Sequence, residues 1–145
     1  MNKKIFKQAD HHRGLRFVND VMTQWEFDVF DAVMEYRILK AHQRESLTPL
    51  EHAVKHVIDT APMDMFMLRP YNDMIKNLRN LRPYADGTYV IEIGCGYLYC
   101  ARHALSAYSK TLREGKELAQ VSRIRERLAL PRKKYVSAYG TPFID

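Results

Sequence analysis

The feature that most constrains this chain is a repeat of apolar residues at steps of three and four, which is the period of an α-helix. The clearest case begins at Thr48, which can cap a helix. Pro49 fits the first helical turn, and Glu51 completes a capping box with Thr48. One apolar face then follows, formed by Leu50, Ala53, Val54, Val57 and Ile58. The pattern predicts a helix from Pro49 to about Asp59.

Three further stretches carry the same repeat. Residues 25–43 show two apolar stripes, which predict a central helix buried on two sides. Residues 71–82 predict a second helix, placed after a methionine-rich segment that stops at Pro70. Residues 97–130 form the last of these helical stretches. The phase of its apolar stripe shifts near Gly115, so we expect either a kinked helix or two helices that meet there.

The methionine-rich segment before Pro70 permits two interpretations. It consists of Met63, Met65, Phe66, Met67 and Leu68. Such a cluster can be ordinary core, but methionine also re-packs easily and suits an adaptable contact surface. Of the two, we expect the core.

One stretch predicts a β-strand. Residues 88–93 are rich in β-forming side chains and alternate in part, and Gly94 and Gly96 break the pattern after them. A small hairpin would pair this stretch with part of 133–139. The fold class expected from these patterns is mainly α: a compact bundle of five or six helices with at most one short β-strand or hairpin, around 88–93.

The length of 145 residues suits one domain with a hydrophobic core and is too short for two ordinary domains. We expect a single helical domain over residues 1–145, with a loose basic arm at about 1–13 and an irregular tail at about 131–145. The apolar clusters are far shorter than a membrane span, and no apolar stretch of a signal peptide follows the basic start. Since the two cysteines form no disulfide framework, the expected location is cytoplasmic.

The net charge of +6 is concentrated in the second half of the chain. Residues 1–70 hold ten basic and ten acidic residues, whereas residues 71–145 hold thirteen and seven. A concentrated positive region bears on polyanionic partners and not on the fold.

The strongest candidate site is a basic helix face within residues 102–134. Five polar residues step by three and four and so share one side of a helix: Arg113, Lys116, Gln120, Arg123 and Arg127. The stripe is roughly 20 Å long, enough to follow several phosphates spaced ~3.4 Å apart along a strand. The complete candidate surface comprises Arg102, Lys110, Arg113, Lys116, Gln120, Arg123, Arg127, Arg132, Lys133 and Lys134. A solvated helix face that binds nothing is the plainer interpretation of the same charges.

Two functions follow from this surface. The first is a small basic nucleic-acid-binding or regulatory protein that contacts DNA or RNA through the positive helix face. The second is a non-enzymatic protein-interaction module, such as an inhibitor or adaptor encoded by a phage or mobile element, that binds an acidic protein surface. No membrane partner is expected, and the helical surfaces allow a homodimer. An enzyme ranks third, because no catalytic set of residues is complete.

The segment Val90–Gly96 combines a strand, an acidic residue and two glycines before a helix. This order resembles the first cofactor loop of class I methyltransferases, which use S-adenosylmethionine. The resemblance implies alternating strands and helices around a parallel sheet, with the cofactor at the glycine turn. The chain departs from that pattern at Leu98, where the third glycine would stand, and its remaining residues predict helices and a tail. We therefore expect no cofactor.

Two histidines, His52 and His56, lie four residues apart on the polar face of a predicted helix, a spacing that can present two ligands to zinc. Cys95 and Cys100 would complete the site, but they stand across a strand-to-helix turn and no second pair fixes their geometry. We expect exposed histidines and no metal. Cys95 could act as a nucleophile, but no histidine base is paired with it in the sequence. Residues 11–13 could act as acid–base groups, but no matched carboxylate is identifiable, so no catalytic residue is predicted.

Overall fold

The computed structural model describes residues 15–17, 36–129 and 140–145. Within these ranges, four helices pack on a three-stranded antiparallel sheet. The helices are α1 (Thr48–Thr60), α2 (Met65–Arg79), α3 (Cys95–Ser109) and α4 (Lys116–Ala129), and the strands are β1 (Leu15–Phe17), β2 (Tyr36–Ala41) and β3 (Tyr89–Gly94). A short 3-10 helix, Arg44–Leu47, leads directly into α1. The prediction of a mainly helical chain is confirmed, although the described residues contain four helices and not five or six.

The sheet has β3 at its centre, with β2 on one edge and β1 on the other. Both neighbours run antiparallel to β3: Leu39 of β2 lies opposite Ile91, and Leu15 of β1 lies opposite Ile93. The predicted strand at 88–93 is confirmed, but the expectation of at most one strand or hairpin is wrong. The segment predicted to pair with it, 133–139, lies outside the described residues.

β2 lies where the sequence predicts the end of a helix over 25–43. Residues 36–41 are extended and pair with β3, while 25–35 lie outside the described residues. The prediction fails because Ile38 and Leu39 are adjacent, point to opposite faces of the sheet and are both fully buried. The strand therefore lacks strict alternation, and Ile38 and Leu39 also fit the three- and four-residue steps of the residues before them, so periodicity does not separate it from a helix.

α1 matches its prediction in extent but begins in a different way. The residue before its first turn is Leu47, which makes no side-chain capping hydrogen bond, so the predicted capping by Thr48 is wrong. The reason is that the 3-10 helix delivers the chain into α1 without an extended capping residue. Pro49 does occupy the first turn, where its missing N–H costs nothing. The buried face consists of Pro49, Leu50, Ala53, Val54 and Val57.

α2 starts at Met65, ahead of the predicted residue 71, and runs through Pro70. Asp64 caps the helix, because its Oδ1 accepts the Met67 N–H at 2.9 Å. Pro70 removes one backbone donor, the one that the Phe66 carbonyl would meet in an unbroken helix. The burial of the following turns offsets that loss. Their buried residues are Tyr71, Met74, Ile75, Asn77 and Leu78.

The helical pattern over 97–130 corresponds to two helices, α3 and α4. Gly115, just before α4, has a φ of 152°, in the region that favours glycine. The phase shift of the apolar stripe therefore marks the point at which the chain turns. After it, α4 presents Val121, Ile124 and Leu128 to the core.

α1 lies at the centre of the helical layer. It contacts α2, α3 and α4, and α4 also packs against β2. The face of the sheet that meets the helices contributes Leu39, Ile91 and Ile93, all fully buried. None of the helices in the described ranges reaches the length and apolar character that crossing a bilayer requires.

Residues 140–145 have no regular secondary structure, yet they pack against β2. The Ile144 N–H donates to the Lys40 carbonyl at 2.8 Å, and the Ile144 side chain belongs to the core. The Phe143 ring stacks on the His42 ring, with the centroids 3.6 Å apart. The remainder of the predicted tail, 131–139, lies outside the described residues, as does the predicted arm at 1–13.

The Asp145 carboxylate anchors this segment to the chain that leads into α1. It accepts the backbone N–H groups of His42 and Gln43 at 2.9 and 3.0 Å and the Ser46 hydroxyl at 2.7 Å. Burial raises the pKa of Asp145, but these hydrogen bonds outweigh it and hold the pKa below its ordinary value of 3.8. A residue distant in sequence thus supplies the acceptor that a local capping side chain would otherwise provide.

We expect Asp145→Ala to lower the free energy of unfolding by about 1–3 kcal/mol near pH 7, because three donors lose their acceptor. Urea denaturation measures the loss. Because the folded pKa of Asp145 is depressed, its contribution is present above about pH 4 and disappears as the pH falls through the folded pKa.

The matched control is Asp59→Ala, which removes an exposed carboxylate paired with Lys55. Its loss should cost about 0.5 kcal/mol or less. Equal losses for the two variants at neutral pH would contradict the role of Asp145 as an anchor.

Candidate functional site

The residues predicted to form the binding surface lie on α3, on α4 and in the loop between them. Arg102 is on α3, Lys110 and Arg113 follow its end, and Lys116, Gln120, Arg123 and Arg127 are on α4. Gln120 and Arg127 are partly buried, and the other five are exposed. Arg132, Lys133 and Lys134 lie outside the described residues.

The helical stripe is shorter than predicted. Arg113 precedes α4, which begins at Lys116, and Gly115 turns the chain between them. The part of the stripe on the helix runs from Lys116 to Arg127 and is about 17 Å long. Arg113 therefore belongs to the loop and not to the helix face.

Arg127 also departs from the prediction. It stands next to Leu128, which is fully buried, and it is itself half-buried and engaged within the chain. Arg123, one helical turn earlier, is exposed. Arg127, the last residue of the predicted stripe, therefore makes contacts within the chain, whereas Arg123 is accessible to a ligand.

Arg125, which is off the predicted stripe, joins Arg102 in a groove between α3 and α4 with a volume of about 480 Å³. The Arg102 guanidinium donates to the Leu128 carbonyl near the end of α4, where the helix dipole favours a cation. The Arg125 guanidinium donates to the Ser109 hydroxyl at 3.3 Å. Helix phase alone does not reveal that Arg125 belongs to this groove, because Arg102 on the other wall belongs to α3.

These residues lie on two sides of α4, because Arg125 is about half a helical turn in phase from Lys116 and Arg123. We call the exposed cations of both sides, taken together, the α3–α4 positive surface. Its exposed cations are Arg102, Lys110, Arg113, Lys116, Arg123 and Arg125. Across the same stretch, 102–129, the exposed carboxylates are Glu114 and Glu126. Glu117 is partly buried and its carboxylate is occupied by other groups. The exposed charge of this stretch is therefore positive, although Glu45, an exposed residue before α1, lines the same hollow as Lys116.

Glu117 joins α1, α3 and α4 through one carboxylate oxygen. Its Oε2 lies 2.7 Å from Nδ1 of His52 and accepts the Tyr108 hydroxyl at 2.9 Å. His56 contacts the Tyr108 ring, with 5.7 Å between centroids. Among the described residues, no group of three histidine, cysteine, aspartate or glutamate side chains is placed to hold a metal ion. His52 and His56 both contact groups of this contact between helices, His52 through Glu117 and His56 through the Tyr108 ring.

The contact changes the pKa of both acidic groups in it. Burial raises the pKa of Glu117, but hydrogen bonds with His52 and Tyr108 outweigh it and hold the pKa below its ordinary value of 4.5. Burial, together with the hydrogen bond to Glu117 and its negative charge, raises the pKa of Tyr108 to about 12. At neutral pH Glu117 is therefore an anion that accepts from a neutral Tyr108, and the pair braces α4 against α3.

An apolar surface lies at the start of α2, where the sequence predicts core. Met65, Phe66 and Met67 are 87, 80 and 55 % exposed, so the expectation of burial is wrong for these three. The fully buried residues of α2 begin only at Tyr71, and the first helical turn reaches beyond the core. Residue type alone does not show where a helix meets the rest of a fold.

A groove of about 440 Å³, the α2–α3 groove, lies between this turn and α3. It is lined by Met63, Phe66, Met67, Arg69, Pro70, Tyr71, Tyr99, Cys100 and His103. Tyr99 is 73 % exposed, whereas Tyr71 and Cys100 are buried. Burial raises the pKa of the Cys100 thiol, which therefore stays neutral and apolar near pH 7. Met63 and Leu68, the other members of the methionine-rich segment, pack partly against the core.

β3 leads directly into α3, with Gly94 ending the strand and Gly96 already inside the helix, so the predicted glycine turn is wrong, although the strand-then-helix order of the methyltransferase resemblance is present. The neighbours of β3 are antiparallel, however, so the parallel sheet implied by the resemblance is wrong. Glu92, the acidic residue of the pattern, is fully buried in the sheet. Cys95 is the first residue of α3.

Replacing Glu117 with Gln should lower the free energy of unfolding by about 1 kcal/mol near pH 7, because charge-assisted hydrogen bonds become neutral ones. Since the folded pKa of Glu117 is depressed, the wild-type advantage is present above its ordinary value of 4.5 and is lost as the pH falls through the folded value. Denaturant unfolding across this pH range measures the effect.

Glu114→Gln, in the exposed loop before α4, is the matched control and should leave stability unchanged across the range. A loss for Glu117→Gln that persists below the folded pKa would contradict the ionic character of the contact.

Comparison of the chain with protein-family models, with curated proteins and with solved structures finds no match.

Proposed function

We propose that this chain binds nucleic acid through the α3–α4 positive surface. The observation that carries the proposal is the imbalance of exposed charge among residues 102–129, where six cations stand against two carboxylates. A surface of one sign raises the local concentration of an oppositely charged polymer and speeds its association.

The dimensions of the surface suit a polyanion. On one face of α4 its exposed cations run from Lys116 to Arg123, about 10 Å, and Lys110 and Arg113 extend the positive charge beyond the start of the helix. Phosphates follow one another at ~3.4 Å along a strand, so several can be contacted at once. Each cation that neutralises a phosphate releases a condensed counterion, and this release supplies the non-specific part of the binding free energy.

Two of the arginines are held in place before any ligand binds. Arg102 donates to the Leu128 carbonyl and Arg125 to the Ser109 hydroxyl, yet both side chains are exposed. A guanidinium carries five N–H donors, so one such bond leaves others for a phosphate. A side chain that is already ordered loses less conformational entropy on binding.

Contacts of this kind go to phosphates and carry no sequence information. We therefore expect binding with little preference for base sequence. Both DNA and RNA present the same phosphate chemistry, so the test compares them directly.

The alternative predicted from the sequence, a non-enzymatic inhibitor or adaptor for an acidic protein surface, would use the same cations. An acidic protein lacks the dense counterion layer of a nucleic acid, so its binding would depend less steeply on salt. The salt dependence of affinity separates the two functions.

The test is fluorescence anisotropy of the full chain with labelled double-stranded DNA, single-stranded DNA and RNA at a series of salt concentrations. We expect the logarithm of affinity to fall linearly with the logarithm of salt concentration. Lys116→Ala and Arg123→Ala should each weaken binding severalfold on any sequence and reduce the slope by about 1.

The matched control is Lys55→Ala, which removes an exposed lysine on α1 that is paired with Asp59 and should leave affinity unchanged. If none of the three nucleic acids binds at low salt, the proposal is wrong. If polyglutamate binds as tightly as nucleic acid with a shallow salt slope, the acidic-protein alternative takes its place.

A further inference from the structure

We propose that the α2–α3 groove is the docking site for an acidic amphipathic helix of a partner protein. This site is separate from the proposed nucleic-acid surface, because its lining includes none of the exposed cations of the α3–α4 positive surface.

The first support is the concentration of exposed apolar side chains at this place. The exposed large hydrophobic residues of the described chain are Met65, Phe66, Met67 and Tyr99. Three of them line the groove, and Met65 adjoins it. Single exposed apolar residues are normal, but a contiguous set marks an interaction surface. Methionine and aromatic side chains are also the types enriched where proteins meet.

The walls of the groove determine the form of its ligand. They are two helices, α2 and α3, whose backbone groups bond largely within their own helices. An extended peptide would therefore find no row of backbone partners, whereas it finds one at a sheet edge. A helical ligand satisfies its own backbone and offers only side chains. The groove thus favours a helix.

The size and chemistry of the groove suit apolar anchors. A volume of about 440 Å³ lies within the range of pockets that bury several apolar groups. Buried Tyr71 and the neutral Cys100 thiol give an uncharged floor. Flexible Met67 can adapt to anchors of different shape, so leucine, isoleucine or phenylalanine at helical spacing would fit.

Charge complementarity selects an acidic helix. The lining of the groove includes the permanent cation Arg69 and the polar ring of His103, and it contains no carboxylate. The neighbouring carboxylates are engaged within the chain: Asp64 accepts the Met67 N–H as the helix cap, and Asp73, one turn after Arg69, accepts the Tyr97 hydroxyl. An aspartate or glutamate beside the apolar face of the ligand would therefore meet Arg69, while a lysine there would be repelled.

The experiment selects ligands for the full chain from a displayed library of random peptides of about 16 residues, long enough for four helical turns. A parallel selection uses the double variant Phe66→Ala/Met67→Ala, whose changed side chains are exposed and leave the core intact. We expect the wild type alone to enrich peptides with apolar residues at steps of three and four and with flanking aspartate or glutamate.

Variants of the full chain then test each contact with an enriched peptide. Phe66→Ala and Tyr99→Ala, on opposite walls, should each weaken binding about tenfold. Arg69→Glu should weaken it to a similar degree, and a peptide with lysine in place of its acidic residues should recover affinity for that variant. Arg82→Glu makes the same change of charge at an exposed position after α2, outside both proposed sites, and is the matched control, with affinity expected to stay within about twofold.

Several results would overturn the proposal. These are the absence of enriched peptides, enrichment of the same peptides by the double variant, and enrichment of extended or basic sequences. The other occupant is a second copy of this chain. If analytical ultracentrifugation shows a dimer that Phe66→Ala dissociates, the groove is a self-association surface and binds no partner helix. A failure of the nucleic-acid proposal does not change these outcomes, because the groove contains none of the cations of the α3–α4 positive surface.

Discussion

The place of both candidate surfaces depends on the burial of β3. Both edges of this strand are paired, and its residues from Val90 to Gly94 are buried. Because Gly94 is also the N-cap of α3, the strand determines where that helix starts and which way it faces. α3 then carries Tyr99 into the α2–α3 groove and Arg102 to the end of α4. One strand-to-helix junction therefore positions an apolar surface and a cationic one.

The features marked by local signals are predictable from the sequence. Pro49 places the start of α1, β-forming residues mark β3, and Gly115 divides α3 from α4. β2 is not predictable in this way, because burial on both faces removes the alternation by which a strand is recognised. Ile38 and Leu39 stand between Arg37 and Lys40, and both also fit the helical spacing of the residues before them.

The candidate surfaces are less predictable than the helices that carry them. The basic residues are visible in the sequence, but Arg125 and Arg102 come together only because α4 packs on α3. The exposure of Phe66 depends on where α2 first meets the core, which no property of the segment itself reveals. Helix phase places Arg127 on the binding face, yet its side chain is half-buried and engaged within the chain.

The anchor at Asp145 bears on the order in which the chain can assemble. Asp145 lies 103 positions after His42, so the turn that leads into α1 lacks its acceptor until synthesis has passed residue 145. The entropic cost of closing a loop grows only slowly with loop length, so this contact costs little more free energy than one across a shorter loop. Contacts between distant residues do slow folding, however. α1 has strong local signals for helix formation, yet the turn that precedes it closes late.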